Sequence, residues 1–337
     1  MSEPGPARGR AHSRAALLGN PSDGFGGATI AFALAGLEAE VEAARHEAVA
    51  LEADAEVLEF TDAAALLAAG RDGAYPPRGP KALLMAAAKR FADRLEVSGV
   101  EPRGVGFRAR LVESSIPPEV GLAGSSAIVI ATLRALGALF GRAIPPPELP
   151  AIALACEGEE LGITAGPQDR VVQTHGGLLF MNFGSQTEGG NWEHQALDPA
   201  LLPPLLVAYQ RRATSHSGSV HASVRDRFEA GDSEVIATMG EIAALAPAGR
   251  EALEAGELER LAGLLDRNFD LRRRIYELDP RHVAMLEAAR AAGAAANYAG
   301  SGGAIVAVPR AETTIEDLQR ALENAGCVAL RPRVASV

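Results

Sequence analysis

Apolar residues in this chain fall into short runs bounded by glycine and proline and longer stretches with helical spacing. The run AALL after Arg14 ends at the polar loop GNPSDGFGG and is followed by TIAFAL. This predicts two strands, forming a hairpin or a βαβ entry, with the loop at the edge of a pocket. Residues 54–61 alternate as a strand, residues 80–97 (PKALLMAAAKRFADRLEV) carry a helical period, and residues 104–112 (GVGFRARLV) alternate again. The triplet Pro145–Pro147 makes a stiff turn before the helix ELPAIALACEGEELG, which leads through TAGPQD to the short helix RVVQTH and the strand GGLLFMNF. After a polar loop the strand LLVAYQ opens a second, helix-rich part that ends in AAANYAGSGGAIVAV, a helix over Thr314–Ala325 and the strand CVALRP. That order predicts an α+β architecture, with a loose leader over residues 1–13, an N-terminal domain over 14–197 and a C-terminal domain with an antiparallel sheet over 198–337.

The stretch PEVGLAGSSA from Pro118 to Ala127, running into IVIATLRALGALF, reads as an anion site at a helix start. Gly121 and Gly124 allow close backbone approach, while Ser125 and Ser126 stand where unpaired N–H groups and a partial positive charge collect. Gly121, Leu122, Ala123, Gly124, Ser125, Ser126 and Ala127 are therefore the candidate phosphate-binding residues. The string is neither a Walker loop nor a GxGxxG fingerprint.

At 337 residues the chain can bury a large core and divide into two domains sharing a cleft. A net charge of −11 argues against a nucleic-acid surface and makes each clustered arginine informative. Only Lys81 and Lys89 accompany the arginines, so recognition of carboxylates and phosphates falls to Arg forks. Cys156 and Cys327 make neither a disulfide framework nor a zinc site. The N-terminus does not read as a signal peptide, and no segment reaches membrane-spanning length unbroken, which predicts a soluble, cytoplasmic protein without nucleic-acid or membrane partners; the oligomeric state is left open. Phosphoryl transfer needs a metal ion, donors for the moving charge and a carboxylate facing the accepting hydroxyl. The segment EGEELGITAGPQDR can supply carboxylates that converge from separate elements, Glu159 near a helix end and Asp169 after a Gly-Pro turn. Alone, Glu157, Glu159 and Glu160 read better as a solvated helix face.

PxxxGL followed by small residues and SSA resembles the second motif of the GHMP kinases, a family named for galactokinase, homoserine, mevalonate and phosphomevalonate kinases. The form found here, GLAGSSA, is one residue longer than usual and resembles the sugar 1-kinase branch that includes glucuronokinase. Gly300–Gly303 resembles the third motif. The Pro-Gly start of the first motif is absent, and its Glu-His-Thr-Asp is replaced by Asn20-Pro21-Ser22-Asp23. GNPSD, LGITAGPQDRVVQTHGGL, SGSVHASVRDR and NFDLRRR extend the likeness to glucuronokinase from about Arg14 to about Arg331.

The resemblance implies a two-lobed GHMP kinase fold, with a left-handed βαβ unit in the N-terminal domain and a ferredoxin-like C-terminal domain. It implies transfer of phosphate from ATP, with Mg2+, to the anomeric hydroxyl of a sugar or uronic acid, D-glucuronate first. A galactose-type or heptose-type kinase and a silent nucleotide-binding protein are the alternatives. By that resemblance Asp169 is the base and Arg14 its cation, Ser126 and Glu159 hold the metal with Glu160 the adjacent alternative, and Asn20, Asp23 and Gly302 line the acceptor. A uronate carboxylate would be met by Arg170, Arg225 or the Arg272–Arg274 triplet. Ser217, Gly218 and His221 are placed facing the cleft, and His175 and His216 are read as structural.

Overall fold

A long hairpin opens the first lobe, in which β1 (Ala7–Leu18) and β2 (Ala28–Arg45) pair antiparallel across a short 3-10 turn at Ser22–Phe25. These and all other positions come from a computed structural model that describes residues 5–186, 192–210 and 217–336, apart from the side chains of Ser185, Gln186 and residues 217–222. The hairpin form settles the choice left by the sequence, and it takes residues 7–13 out of the expected leader. Ala7 to Ser13 are already strand, paired with Leu34 and Glu38 to Ala43 of β2, because Ala7, Gly9 and Ala11 alternate with polar residues and give β1 one face small enough to pack.

A second hairpin, β3 (Val49–Ala53) and β4 (Glu56–Phe60), is followed by α1 (Ala63–Arg71), α2 (Pro80–Val97) and β5 (Phe107–Ser114). Asp62 caps α1 by accepting from the Ala65 N–H, and Pro80 opens α2 where its missing N–H costs nothing. Next come α3 (Gly124–Leu139), α4 (Leu149–Ala155), α5 (Gln168–His175), β6 (Leu178–Gln186) and β7 (Trp192–Leu197). The sheet runs β4-β3-β5-β2-β6-β7, with β1 on the other edge of β2; β3 and β5, which bracket α1 and α2, pair parallel. α3 is apolar nearly all round, as a helix must be when packed between this sheet and α2.

The second lobe holds β8 (Leu206–Gln210), α6 (Ser217–Glu229), α7 (Ser233–Ala255), α8 (Leu258–Ile275), α9 (Pro280–Ala291), β9 (Ala294–Tyr298), β10 (Ala304–Pro309), α10 (Ile315–Asn324) and β11 (Cys327–Leu330). Its four strands form an antiparallel sheet ordered β11-β8-β10-β9. The expected C-terminal domain does not keep its last residues. The Ala335 N–H donates to the Ala33 carbonyl and the Gly177 N–H to the Ala335 carbonyl, so residues 333–336 return to the first lobe's sheet. α7 also lies on β2, where Gly249 leaves room for Leu18, and one apolar core runs through both lobes.

β1 approaches α3 at Gly9, where an added Cβ would lie 2.0 Å from the Ala131 carbonyl oxygen. Backbone cannot yield as a side chain does, so overpacking here is expected to cost about 1–3 kcal/mol. Gly9→Ala should therefore melt several degrees below the parent protein in a thermal scan; an unchanged melting temperature contradicts this close approach.

Candidate active site

Three loops meet at a cleft of about 1160 Å³ between the lobes: the β1–β2 loop, the loop entering α3 and the β9–β10 loop. Arg14, within β1, joins two of them to a carboxylate. Its Nε donates to Asp169 Oδ1 at 2.6 Å, and its Nη1 donates to the carbonyls of Gly121 at 3.0 Å and Ala299 at 2.6 Å. Asp169 is presented by the first turn of α5, and the far end of α5 is pinned by Arg134, which donates to the Gln173 and Thr174 carbonyls. Burial alone would raise the Asp169 carboxyl, but Arg14 and Arg170 outweigh it and hold the pKa below the usual range.

The loop entering α3 winds tightly, with Glu119, Gly121 and Ala123 all in the left-handed region. Gly121 is obligatory there, since a Cβ would meet the Gly302 carbonyl oxygen at 2.5 Å as the two glycine-rich loops pass. The Ala123 carbonyl accepts from Gln173 Nε2 of α5 at 2.8 Å, which fixes the start of α3 against the helix carrying Asp169. α3 thus directs its N-terminal N–H groups at the cleft, with Gly124 and Ser125 on the wall.

Below it Ser125 Oγ donates to Glu157 Oε1 at 2.8 Å, and Glu157 Oε2 receives Arg170 Nη2. Both members of this ion pair are buried, and Arg170 also donates to the Gly166 carbonyl at 2.7 Å. A second network backs the cleft from α2, where Glu160 accepts from Tyr75 and Lys89 and pairs with Arg90.

On the other side Asp23 accepts from the Gln168 N–H at 3.2 Å. Burial, and then repulsion from Asp169, lifts its pKa to about 6. α8 holds the loop around it. Asn268 accepts from the Gly19 N–H at 2.7 Å and donates to the Asn20 carbonyl at 2.9 Å, while Arg272 Nη1 donates to Asn20 Oδ1 and the Gly300 carbonyl, both at 2.8 Å. From α6, Arg225 donates to the Gly24 carbonyl and stacks on Phe25, its guanidinium carbon 4.7 Å from the ring centroid.

Residues 82–177 match the family GHMP kinases N terminal domain, and residues 250–328 match GHMP kinases C terminal. Glucuronokinase 1 of Arabidopsis thaliana is 35% identical over 94% of this chain and 89% of its own. The chain belongs to the GHMP kinase family. Probable glucuronokinase 2 of the same plant is 36% identical over 95% of this chain and 89% of its own. The crystal structure of Lactococcus lactis galactokinase complexed with galactose superposes with a TM-score of 0.76 at 18% identity, covering 98% of this chain and 94% of that one.

Within this GHMP kinase the structure brings Arg14, Asn20, Asp23, Asp169, Arg170, Arg225 and residues 121–125 to one cleft. It does not bring Glu159 there. That side chain is 69% exposed and pairs with Arg90 on the outer face, and the carboxylate on Ser125 is Glu157. Glu160 does reach the cleft wall, with its carboxylate engaged by Tyr75, Lys89 and Arg90. Leu149 and Ala153 stand four residues apart on the buried face of α4, and Glu157 continues that spacing while Glu159 falls off it; this period was the missed signal. The same logic corrects Ser126 and Ala127, both turned into the core of α3 and fully buried, with Ser126 Oγ bonded to the Ala123 carbonyl. Gly302 packs against Gly121, and Ser301 is the glycine-loop residue on the cleft wall. Arg272 is buried beneath the loops, whereas Arg273 and Arg274 are exposed. His175 stacks on His194 with centroids 4.1 Å apart, and burial pushes its pKa down to about 4. His216 lies outside the described residues, as do the side chains of Ser217 and His221; Gly218 lies in the first turn of α6.

Because the Asp23 pKa rises from 3.8 to about 6 on folding, its ionisation opposes the folded state. The folded chain binds this proton more tightly, so stability is fullest below about pH 4 and falls as pH rises through about 6, by about 3 kcal/mol in all. Asp23→Asn should thus melt above the parent at pH 8, and the gap should close as the pH is lowered from 6 toward 4. A gap that does not vary with pH contradicts the burial of an ionised Asp23.

Proposed function

We propose that this GHMP kinase transfers phosphate from ATP to the anomeric hydroxyl of D-glucuronate. The observation that carries this reading is the likeness to two glucuronokinases over 94% and 95% of the chain, which spans the loops around Asp23 and Asp169. Those loops supply groups in the roles the chemistry requires.

Asp169 faces the accepting hydroxyl and takes its proton as the oxygen bonds to the γ-phosphorus, while the bond to the bridging oxygen breaks and its electron pair leaves with ADP. Arg14 fixes that carboxylate and keeps it ionised until the oxygen becomes acidic enough to release its proton. Asp23 and Asn20, on the loop clamped by α8, accept and donate hydrogen bonds to sugar hydroxyls. The N–H groups at the start of α3 receive phosphate oxygens, a preorganised field for the charge that develops there.

Ser125 and Glu157 would hold Mg2+. A hydroxyl and a carboxylate suit a hard cation that takes one or two protein oxygens and completes its shell with phosphate oxygens and water. When bound it supplies charge neutralisation between the phosphates. Arg170 keeps Glu157 turned toward Ser125. A cytoplasmic location fits the two buried free thiols, Cys156 and Cys327, and among the described residues no helix is long and apolar enough to cross a membrane.

Coupled ADP release over a panel of uronic acids and neutral hexoses tests the reading, with glucuronate expected to give the highest kcat/KM. A neutral sugar in first place refutes the glucuronate assignment, and ADP release unaffected by any sugar refutes the sugar kinase. Asp169→Asn should bind ATP but turn over about 10²- to 10⁴-fold more slowly, the usual contribution of a general base. A loss below tenfold where chemistry limits the rate removes Asp169 from that role.

Ser125→Ala should raise the magnesium concentration that half-saturates turnover, with activity partly recovered at high magnesium. Ser126→Ala should leave that concentration unchanged, since its hydroxyl serves only the helix start. The reverse pattern in a magnesium titration would return the metal to Ser126.

A further inference from the structure

We propose that Arg225 determines acceptor specificity by pairing its guanidinium with the carboxylate of the uronic acid. This rests on the uronate reading of the site. Asp23 and Asp169 already place negative charge where the acceptor binds, so an anionic sugar needs a cation that the protein has not used elsewhere.

Among the described residues four guanidinia stand around Asp23, Asp169 and the β1–β2 loop, and three are committed; Arg78 reaches the cleft from the segment before α2. Arg14 is spent on Asp169 and on two loop carbonyls. Arg170 is spent on Glu157 and the Gly166 carbonyl. Arg272 is 1% exposed, with its donors on Asn20 and the carbonyls of Gly300 and Ser301, so it shapes the loops from beneath.

Arg225 differs on each count. It lines the cleft with its side chain 31% exposed, and one hydrogen bond, from Nη2 to the Gly24 carbonyl, engages it among the described residues. Its acidic neighbour is Glu229, 4.0 Å away and 64% exposed, too solvated to hold the charge. Its guanidinium carbon lies over the Phe25 ring, and Nη1 makes no hydrogen bond among the described residues, so that side of the fork is left to match a carboxylate. The bond to Gly24 holds Arg225 at the β1–β2 loop, one residue past Asp23.

A purely structural Arg225 would clamp the Gly24 loop and serve every acceptor alike. Steady-state kinetics of the parent, Arg225→Gln and Arg225→Lys on glucuronate, its uncharged glucuronamide and glucose separate the two roles. Loss of a charge-assisted pair should lower kcat/KM for glucuronate about ten- to hundredfold in Arg225→Gln. The loss should appear mainly in KM, with glucuronamide and glucose changing by less than about threefold and the KM for ATP unchanged. Arg225→Lys keeps the charge without the fork and should fall between the two on glucuronate alone. Equal losses on all three acceptors in either variant, or an undiminished preference for glucuronate, overturn the proposal while the uronate reading stands. A parent enzyme that prefers glucose overturns that reading and this proposal with it.

Discussion

The ion pair between Arg14 and Asp169 is the contact on which the rest of the site depends. One guanidinium reaches a carboxylate from α5, a carbonyl from the loop entering α3 and a carbonyl from the β9–β10 loop. These elements lie 107, 155 and 285 residues from Arg14 along the chain, and the Ala299 carbonyl also accepts from the Ala16 N–H of β1. Removing one partner of such a buried pair typically costs about 3–5 kcal/mol because the other charge is left uncompensated. The pair therefore does two things at once: it keeps a carboxylate ionised at the cleft, and it makes the closure of three loops conditional on one another.

Charge of alternating sign extends outward from that pair. Arg170 stands between Asp169 and Glu157, and Glu157 passes the influence to Ser125 at the start of α3. On the other flank Asp23 makes no ion pair among the described residues, and burial with the nearby charge of Asp169 outweighs Arg14 and Arg170 and raises its pKa to about 6. A site that must accept hydroxyl protons and phosphate oxygens together cannot satisfy every buried charge internally. Stability is given up at Asp23 and recovered in the apolar core that runs beneath both lobes.

That shared core explains how a cleft made of loops keeps its dimensions. α7 packs on β2, α8 clamps the β1–β2 loop, and residues 333–336 return from the second lobe to pair with the first. A cleft bounded in this way moves with its lobes, so the spacing of Asp23, Asp169 and the α3 N-terminus is set by packing far from any of them.

Local order was legible in the chain itself. The apolar period of 80–97 and 127–140, the alternation near β4 and β5, and the turn residues around them marked elements that need few distant partners, and the GLAGSSA string marked the start of α3 because its glycines answer to local backbone geometry. Asp169 and Arg14 were nameable for the same reason, each standing in a short motif. What the chain could not show by itself was which of several like residues faces the cleft. Ser125 rather than Ser126, Glu157 rather than Glu159, and the strand at Ala7–Ser13 in place of a leader were all decided by burial against elements far away in sequence. Side-chain type survives in a sequence, but the direction a side chain faces depends on a helical or strand phase that only the packed core pins down, and one residue of phase separates a cleft from a core.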